Sequence, residues 1–162
     1  MTRGAHHPSP LAALRNLGPA SARWLAADAS VGGYCGGAHP FSSTTSLVFD
    51  LSSGAEVALG GWLNDHAVER HDAGEPEERY WTARPALRRV VMSRWAGGEA
   101  ECREAAGAAE FWDVGLTRNG LRFTPSLAHV LTPCEEPVVV AWDTLTPFLS
   151  AAGRAGAASV RR

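Results

Sequence analysis

The chain has 162 residues, a hydrophobic share of 45% and a formal net charge of -2 at pH 7, and it contains no lysine. One domain is expected, long enough to bury a core. Without lysine there is no Schiff-base lysine, Walker-type phosphate grip or serine-lysine dyad, and near-neutral charge with scattered arginines argues against nucleic acid as partner.

Much of the apolar share is alanine, so the core must rest on six tryptophans, five phenylalanines and two tyrosines. No run approaches the roughly 18 apolar residues of a membrane span. The start, with Arg3 and then His6-His7-Pro8-Ser9-Pro10, carries no secretory signal. Cys35, Cys102 and Cys134 are too few for a disulfide scaffold and lack C-x-x-C spacing. One bridge with one free thiol, or unpaired buried thiols, both fit. If one bridge forms, Cys102 to Cys134 is the expected pairing, because both flank the second hairpin.

In chain order, residues 1–8 read as loose, and Ser9-Pro10 opens a short helix through Leu11, Leu14 and Leu17 that Gly18-Pro19 stops. Residues 23–31 read as a strand ended by Gly32-Gly33. Thr45, Leu47, Phe49 and Leu51 then alternate as the larger-residue face of a strand. Ser52-Ser53-Gly54 turns it into a hairpin with Glu56-Val57-Ala58-Leu59, and Trp62-Leu63 form an apolar plug. Residues 64–78 are densely charged, and their second half is expected to be an exposed loop.

Pro85 opens a helix with Leu87, Val90, Val91 and Trp95 at helical spacing, closed by Gly97-Gly98, and residues 99–109 form a second. A hairpin follows over residues 111–124, its turn set by Asn119-Gly120. After a connector with His129, residues 137–142 read as a strand apolar on both faces, hence central or covered. Asp143 caps a short helix over residues 144–149 that reaches Ala152 and stops at Gly153. This order predicts an α+β fold, a mostly antiparallel sheet of hairpins with a helical insert and a short C-terminal helix. Residues 1–22 form a partly flexible N-terminal segment, 23–152 the single domain and 153–162 a disordered tail.

Tyr34-Cys35-Gly36-Gly37-Ala38-His39-Pro40, the alternating strand ending Phe49-Asp50-Leu51, then Ser53-Gly54 and Val57-Ala58-Leu59 carry a resemblance. So do Gly120-Leu121-Arg122-Phe123-Thr124-Pro125, Val138-Val139-Val140-Ala141-Trp142 and Leu145-Thr146-Pro147-Phe148-Leu149. Over residues 24–149 the chain resembles a bacterial extracytoplasmic domain family of unknown function. That family forms the lysozyme-binding part of RsiV-type anti-sigma factors and accompanies the deacetylase domain of PdaC-type peptidoglycan deacetylases. The resemblance implies an extracytoplasmic location and lysozyme or peptidoglycan as partner. The family's N-terminal partner region and its signal or membrane segment are missing, so a truncated or mis-started chain is expected. The middle insert is also unusually acidic and arginine-rich.

Gly36 and Gly37 permit close backbone approach, and Pro40 holds His39 extended. The loop reads either as a ligand contact or, preferred here, as a structural junction between strands. His66 and His71 with Asp65 and Asp72 lack a metal-binding spacing, and no metal or cofactor is expected. Glu77-Glu78, or Glu56 with Asp50, are candidate carboxylate pairs for glycosidic chemistry. There is no G-x-S-x-G elbow, and Cys35 beside His39 reads as a packed or bridged thiol. Tyr80-Trp81, in charged surroundings, is the expected exposed aromatic contact. The binding residues are therefore Tyr34, Gly36, Gly37, His39, Tyr80 and Trp81. The expected role is a non-catalytic cell-envelope binding module. The alternative is a small cell-wall glycan hydrolase or deacetylase-associated domain using His39 and a carboxylate.

Overall fold

Three long strands open the chain in the computed structural model, which describes residues 11–34, 41–71, 80–96 and 98–162. They are β1 (Leu11–Pro19), β2 (Trp24–Gly33) and β3 (Phe41–Asp50), and each pairs antiparallel with the next. The short helix expected through Leu11, Leu14 and Leu17 is instead the edge strand β1. Leu14 and Leu17 are both exposed on this strand, and what holds the segment is the backbone pairing with β2. Asp50 leads through a turn, with Gly54 at φ 72°, into the two-residue β4 (Ala55–Glu56) on the far edge of β3.

The inward face of this sheet differs from the one expected. Trp24, Ala26 and Asp28 lie opposite Asp50, Val48 and Ser46, and Trp24, Asp28, Val48 and Asp50 are buried. Leu47 and Phe49 are only half-buried, and Leu51 is exposed. The reason is electrostatic: polar groups occupy the inner face because each has a charged or hydroxyl partner there.

A 3₁₀ turn, Leu59–Trp62, drives Trp62 and Leu63 into the core, and β5 (Val68–His71) and β6 (Tyr80–Ala83) form a small separate hairpin. Helices α1 (Pro85–Ser93) and α2 (Ala100–Ala108) follow, with Pro85 in the first turn of α1. A disulfide joins Cys102 of α2 to Cys134, at the end of the 3₁₀ turn His129–Cys134, with a Cα–Cα distance of 5.0 Å.

The second sheet has the order β7 (Trp112–Thr117), β8 (Gly120–Pro125), β9 (Val138–Ala141). Its turn sits one residue earlier than expected: Thr117 pairs with Gly120, so Arg118 and Asn119 are the central residues. Gly120 is needed for a different reason. A Cβ there would lie 1.9 Å from the Val140 carbonyl oxygen. Among the described residues strand β9 pairs only with β8, and it leaves Val139 exposed, so it lies at an edge of the described sheet and is not a covered central strand. The architecture is α+β with antiparallel sheets.

After α3 (Trp142–Leu145) and a short 3₁₀ turn, the segment expected to be disordered forms most of α4 (Ala151–Val160). Its order comes from Trp62. Gly153 and Gly156 stand three residues apart on one helix face; a Cβ on Gly153 would lie 2.1 Å from the Trp62 carbonyl oxygen, and one on Gly156 would lie 2.3 Å from the Trp62 ring. Only glycine lets the helix settle so closely. Ser150 caps it by accepting from the Gly153 amide at 3.1 Å, and the Trp24 indole N–H donates to the Ser159 hydroxyl at 2.6 Å. Trp62 also meets Trp24 edge-on at 5.1 Å and Trp142 at 6.3 Å. Gly153→Ala is expected to lower the unfolding free energy by about 1–3 kcal/mol in urea titrations. That loss should appear even though alanine is the better helix former by about 1 kcal/mol; equal or greater stability would contradict the seating of α4 on Trp62.

Candidate functional site

The site begins where the hydrogen-bond ladder of β3 is interrupted. In the β3–β4 pair, even-numbered residues of β3 direct their backbone groups outward to β4, and the Val57 amide donates to the Val48 carbonyl at 2.8 Å. The chain then leaves the edge. Ser46 is the next residue whose N–H points that way, and the Asp113 carboxylate of β7 accepts from it at 2.9 Å. The Ser46 hydroxyl donates to the other Asp113 oxygen. A side chain thus takes the place of a strand.

The same hydroxyl belongs to a charged cluster between the two sheets. Arg122 of β8 reaches across with Nη1 2.9 Å from Asp28 Oδ2, Nη2 on Asp28 Oδ1, and Nη2 2.7 Å from Ser46 Oγ. Gly115, opposite Arg122 in the β7–β8 register, makes room: a Cβ there would lie 2.8 Å from Arg122 Nη2 and 2.9 Å from Ser46 Oγ. The bidentate geometry matters because it is an oriented, charge-assisted contact to a buried carboxylate, and breaking such a pair costs about 3–5 kcal/mol.

Between the end of β4 and Asp113 lies an open cleft of about 240 Å³, lined among others by Ser46, Glu56, Gly60, Trp81, Trp112 and Asp113. Trp112 is buried and donates to the Ala109 carbonyl at 3.3 Å. Trp81 is half-buried, its Nε1 edge packed so near Gly60 that a Cβ there would lie 2.5 Å away. Arg70, across from Trp81, turns aside to Asp65 and to the Leu63 carbonyl at 2.6 Å.

Tyr80 and Trp81 do not form one contact surface, because consecutive strand residues face opposite ways. Trp81 lines the cleft. Tyr80 stacks on His71 at 4.6 Å and meets Phe111 edge-on at 5.5 Å, and both Tyr80 and Phe111 are exposed. Tyr34 is exposed just beyond β2, roughly 20 Å along the strand from Asp28, so it belongs to neither group. Gly36, Gly37 and His39 lie outside the described residues, as do Cys35, Asp72, Glu77 and Glu78. No group of three or more metal-ligating side chains occurs among the described residues.

Glu56 and Asp50 are not a carboxylate pair. Asp50 faces inward and binds Arg23, whose Nη2 lies 2.6 Å from Oδ2, and accepts from the Ser52 hydroxyl at 2.6 Å. Glu56, in register with Phe49, lines the cleft instead. Sequence reading missed Asp28, Ser46, Asp113 and Arg122. The available signal was an acid in the middle of one apolar strand and an arginine in the middle of another, charges that a buried face tolerates only as partners.

The class these features define is an α+β domain with a cleft of acids and indoles at an interrupted sheet edge. Comparison with models of known protein families finds no match, and comparison with curated proteins finds none.

Two outcomes test this geometry. In Asp113→Ala, hydrogen exchange at the Ser46 amide should accelerate strongly while the Val57 amide stays protected; unchanged exchange at Ser46 would show that Asp113 does not cap the edge. The second concerns pH. Arg23 first, and then Ser52, hold the Asp50 carboxyl well below the usual carboxylate range. Stability from such a group is complete above its unfolded value of about 4 and is lost as pH falls toward the lowered folded value. Denaturant titrations from about pH 6 down to about pH 2 should therefore show a smaller loss for Asp50→Asn than for the unmodified chain.

Proposed function

We propose that this chain is a non-catalytic binding module of the bacterial cell envelope, acting outside the cytoplasm on a lysozyme-like protein or a cell-wall component. The observation that carries the reading is the open edge of β3. Beyond Ser46 the outward backbone groups of Thr44 and Ser42 have no strand partner among the described residues, and strand addition to such an edge is a general mode of recognition. The edge runs directly into the cleft, and exposed Tyr80 and Phe111 supply aromatic surface of the kind that anchors interfaces. The Cys102–Cys134 disulfide fits an oxidising compartment, and no described helix is long and apolar enough to cross a membrane.

The hydrolase alternative draws on one observation, the presence of Glu56 and Asp113 in a single cleft. Against it, Asp113 already accepts from both the amide and the hydroxyl of Ser46, which fits a structural carboxylate.

Calorimetric titration with lysozyme and with soluble peptidoglycan fragments tests the reading. Saturable binding to one of them is expected, and Thr44→Pro should weaken it at least about tenfold while the domain stays folded, since proline is tolerated where the N–H faces outward. No binding to either ligand would overturn the proposal. Release of reducing ends from the fragments, abolished in Glu56→Gln, would establish the hydrolase instead.

A further inference from the structure

The cleft beside the open edge has a composition that selects its occupant. Among the described residues its lining holds two carboxylates, Glu56 and Asp113, and two indoles, Trp81 and Trp112, and no basic residue. Two described arginines adjoin this region, and each is already paired with an acid. Arg122 is held by Asp28 and Ser46, and Arg70 by Asp65 and two backbone carbonyls, those of Leu63 and Gly60. Among the described residues Glu56 has no hydrogen bond or ion pair, and its side chain is exposed. Asp113 uses its oxygens on Ser46, yet each carboxylate oxygen accepts more than one donor.

From these features we infer that the cleft is a receptor for a guanidinium group, presented by an arginine side chain of the protein partner. Acids set beside aromatic rings, with the adjoining arginines already paired, attract a cation both by charge and through the ring quadrupole. Guanidinium fits better than ammonium because it is planar, weakly hydrated and able to fork onto a carboxylate while lying against an indole. The position agrees with an edge-bound peptide. Ser46, the last capped position of the edge, is itself part of the cleft wall, so a strand laid along Thr44 and Ser42 enters the cleft region at its end.

The inference rests on the binding-module reading and narrows it to a protein ligand with a defined anchor. It is tested by titrating ¹⁵N-labelled protein with N-acetylargininamide, with its neutral isostere N-acetylcitrullinamide, and with a glucosamine tetramer as a cationic sugar. Saturable shifts of the Trp81 indole and Ser46 amide signals are expected with the arginine compound. Citrullinamide should bind at least about tenfold more weakly, and Glu56→Gln should weaken the arginine compound at least about threefold. Glu56 lies exposed on a two-residue edge strand, so this variant keeps the fold. Equal binding of citrullinamide, no saturable shift, unchanged affinity in Glu56→Gln, or tighter binding of the glucosamine tetramer would overturn the inference. Lysozyme or peptidoglycan binding that persists beside such a result would leave the module reading standing and remove only the cation receptor.

Discussion

The ion pair between Asp28 and Arg122 is the contact on which the relation of the two sheets depends. Asp28 is 6% exposed, in the middle of β2, in register with Arg15 of β1 on one side and Ser46 of β3 on the other. The second sheet reaches this carboxylate with a guanidinium that bonds both of its oxygens. Arg122 must cross the face of β7 at a residue without a side chain, which is Gly115, and must meet the Ser46 hydroxyl on the way. Ser46 then donates to Asp113, and Asp113 takes the Ser46 amide. Each step fixes the next, because a buried polar group left unpaired is costly. Docking two sheets through apolar residues alone would allow sliding; a bidentate pair admits one alignment.

That alignment shapes the surface. Because Asp113 is held at Ser46, β7 approaches β3 through a side chain and not through a ladder, and the space between it and β4 remains as the cleft. The same arrangement leaves the rest of the β3 edge without a neighbour among the described strands. Structural constraint and candidate recognition surface are thus two sides of one cluster. The aromatic centre works separately. Trp62, between Trp24 and Trp142, receives α4 on two glycines and so ties the last two helices to the core.

How far the sequence discloses this depends on the kind of interaction. Pro85 with its helical apolar spacing, the hairpin around Asn119, and the Trp62-Leu63 plug were legible because they are local or strongly apolar. The inner face of β3 was not. Its alternation pointed to Leu47 and Phe49, but Ser46 and Asp50 face inward beside Val48 because Arg122 and Arg23, remote in sequence, satisfy them. The tail was misread for a related reason. Its glycines argue against a helix, yet Gly153 and Gly156 are what a helix needs to lie on Trp62. Of the six binding residues expected from sequence, Trp81 lines the cleft, Tyr80 faces the aromatic group on the other side, and Tyr34 stands apart. Gly36, Gly37 and His39 fall outside the described residues. Glu56 was named with the wrong partner, and Asp113 escaped notice, because the packing of β7 against β3 brings together residues that are dozens of positions apart in sequence.

A double-mutant cycle on Asp28→Ala and Arg122→Ala, read by urea unfolding, addresses the central claim most directly. If the pair joins the sheets, each single substitution lowers stability by about 3–5 kcal/mol, and the double variant loses less than the sum, by a coupling energy of at least about 1 kcal/mol. Additivity to within about 0.3–0.5 kcal/mol would mean that the two residues act independently, and the account of how the sheets and the cleft are built would fail.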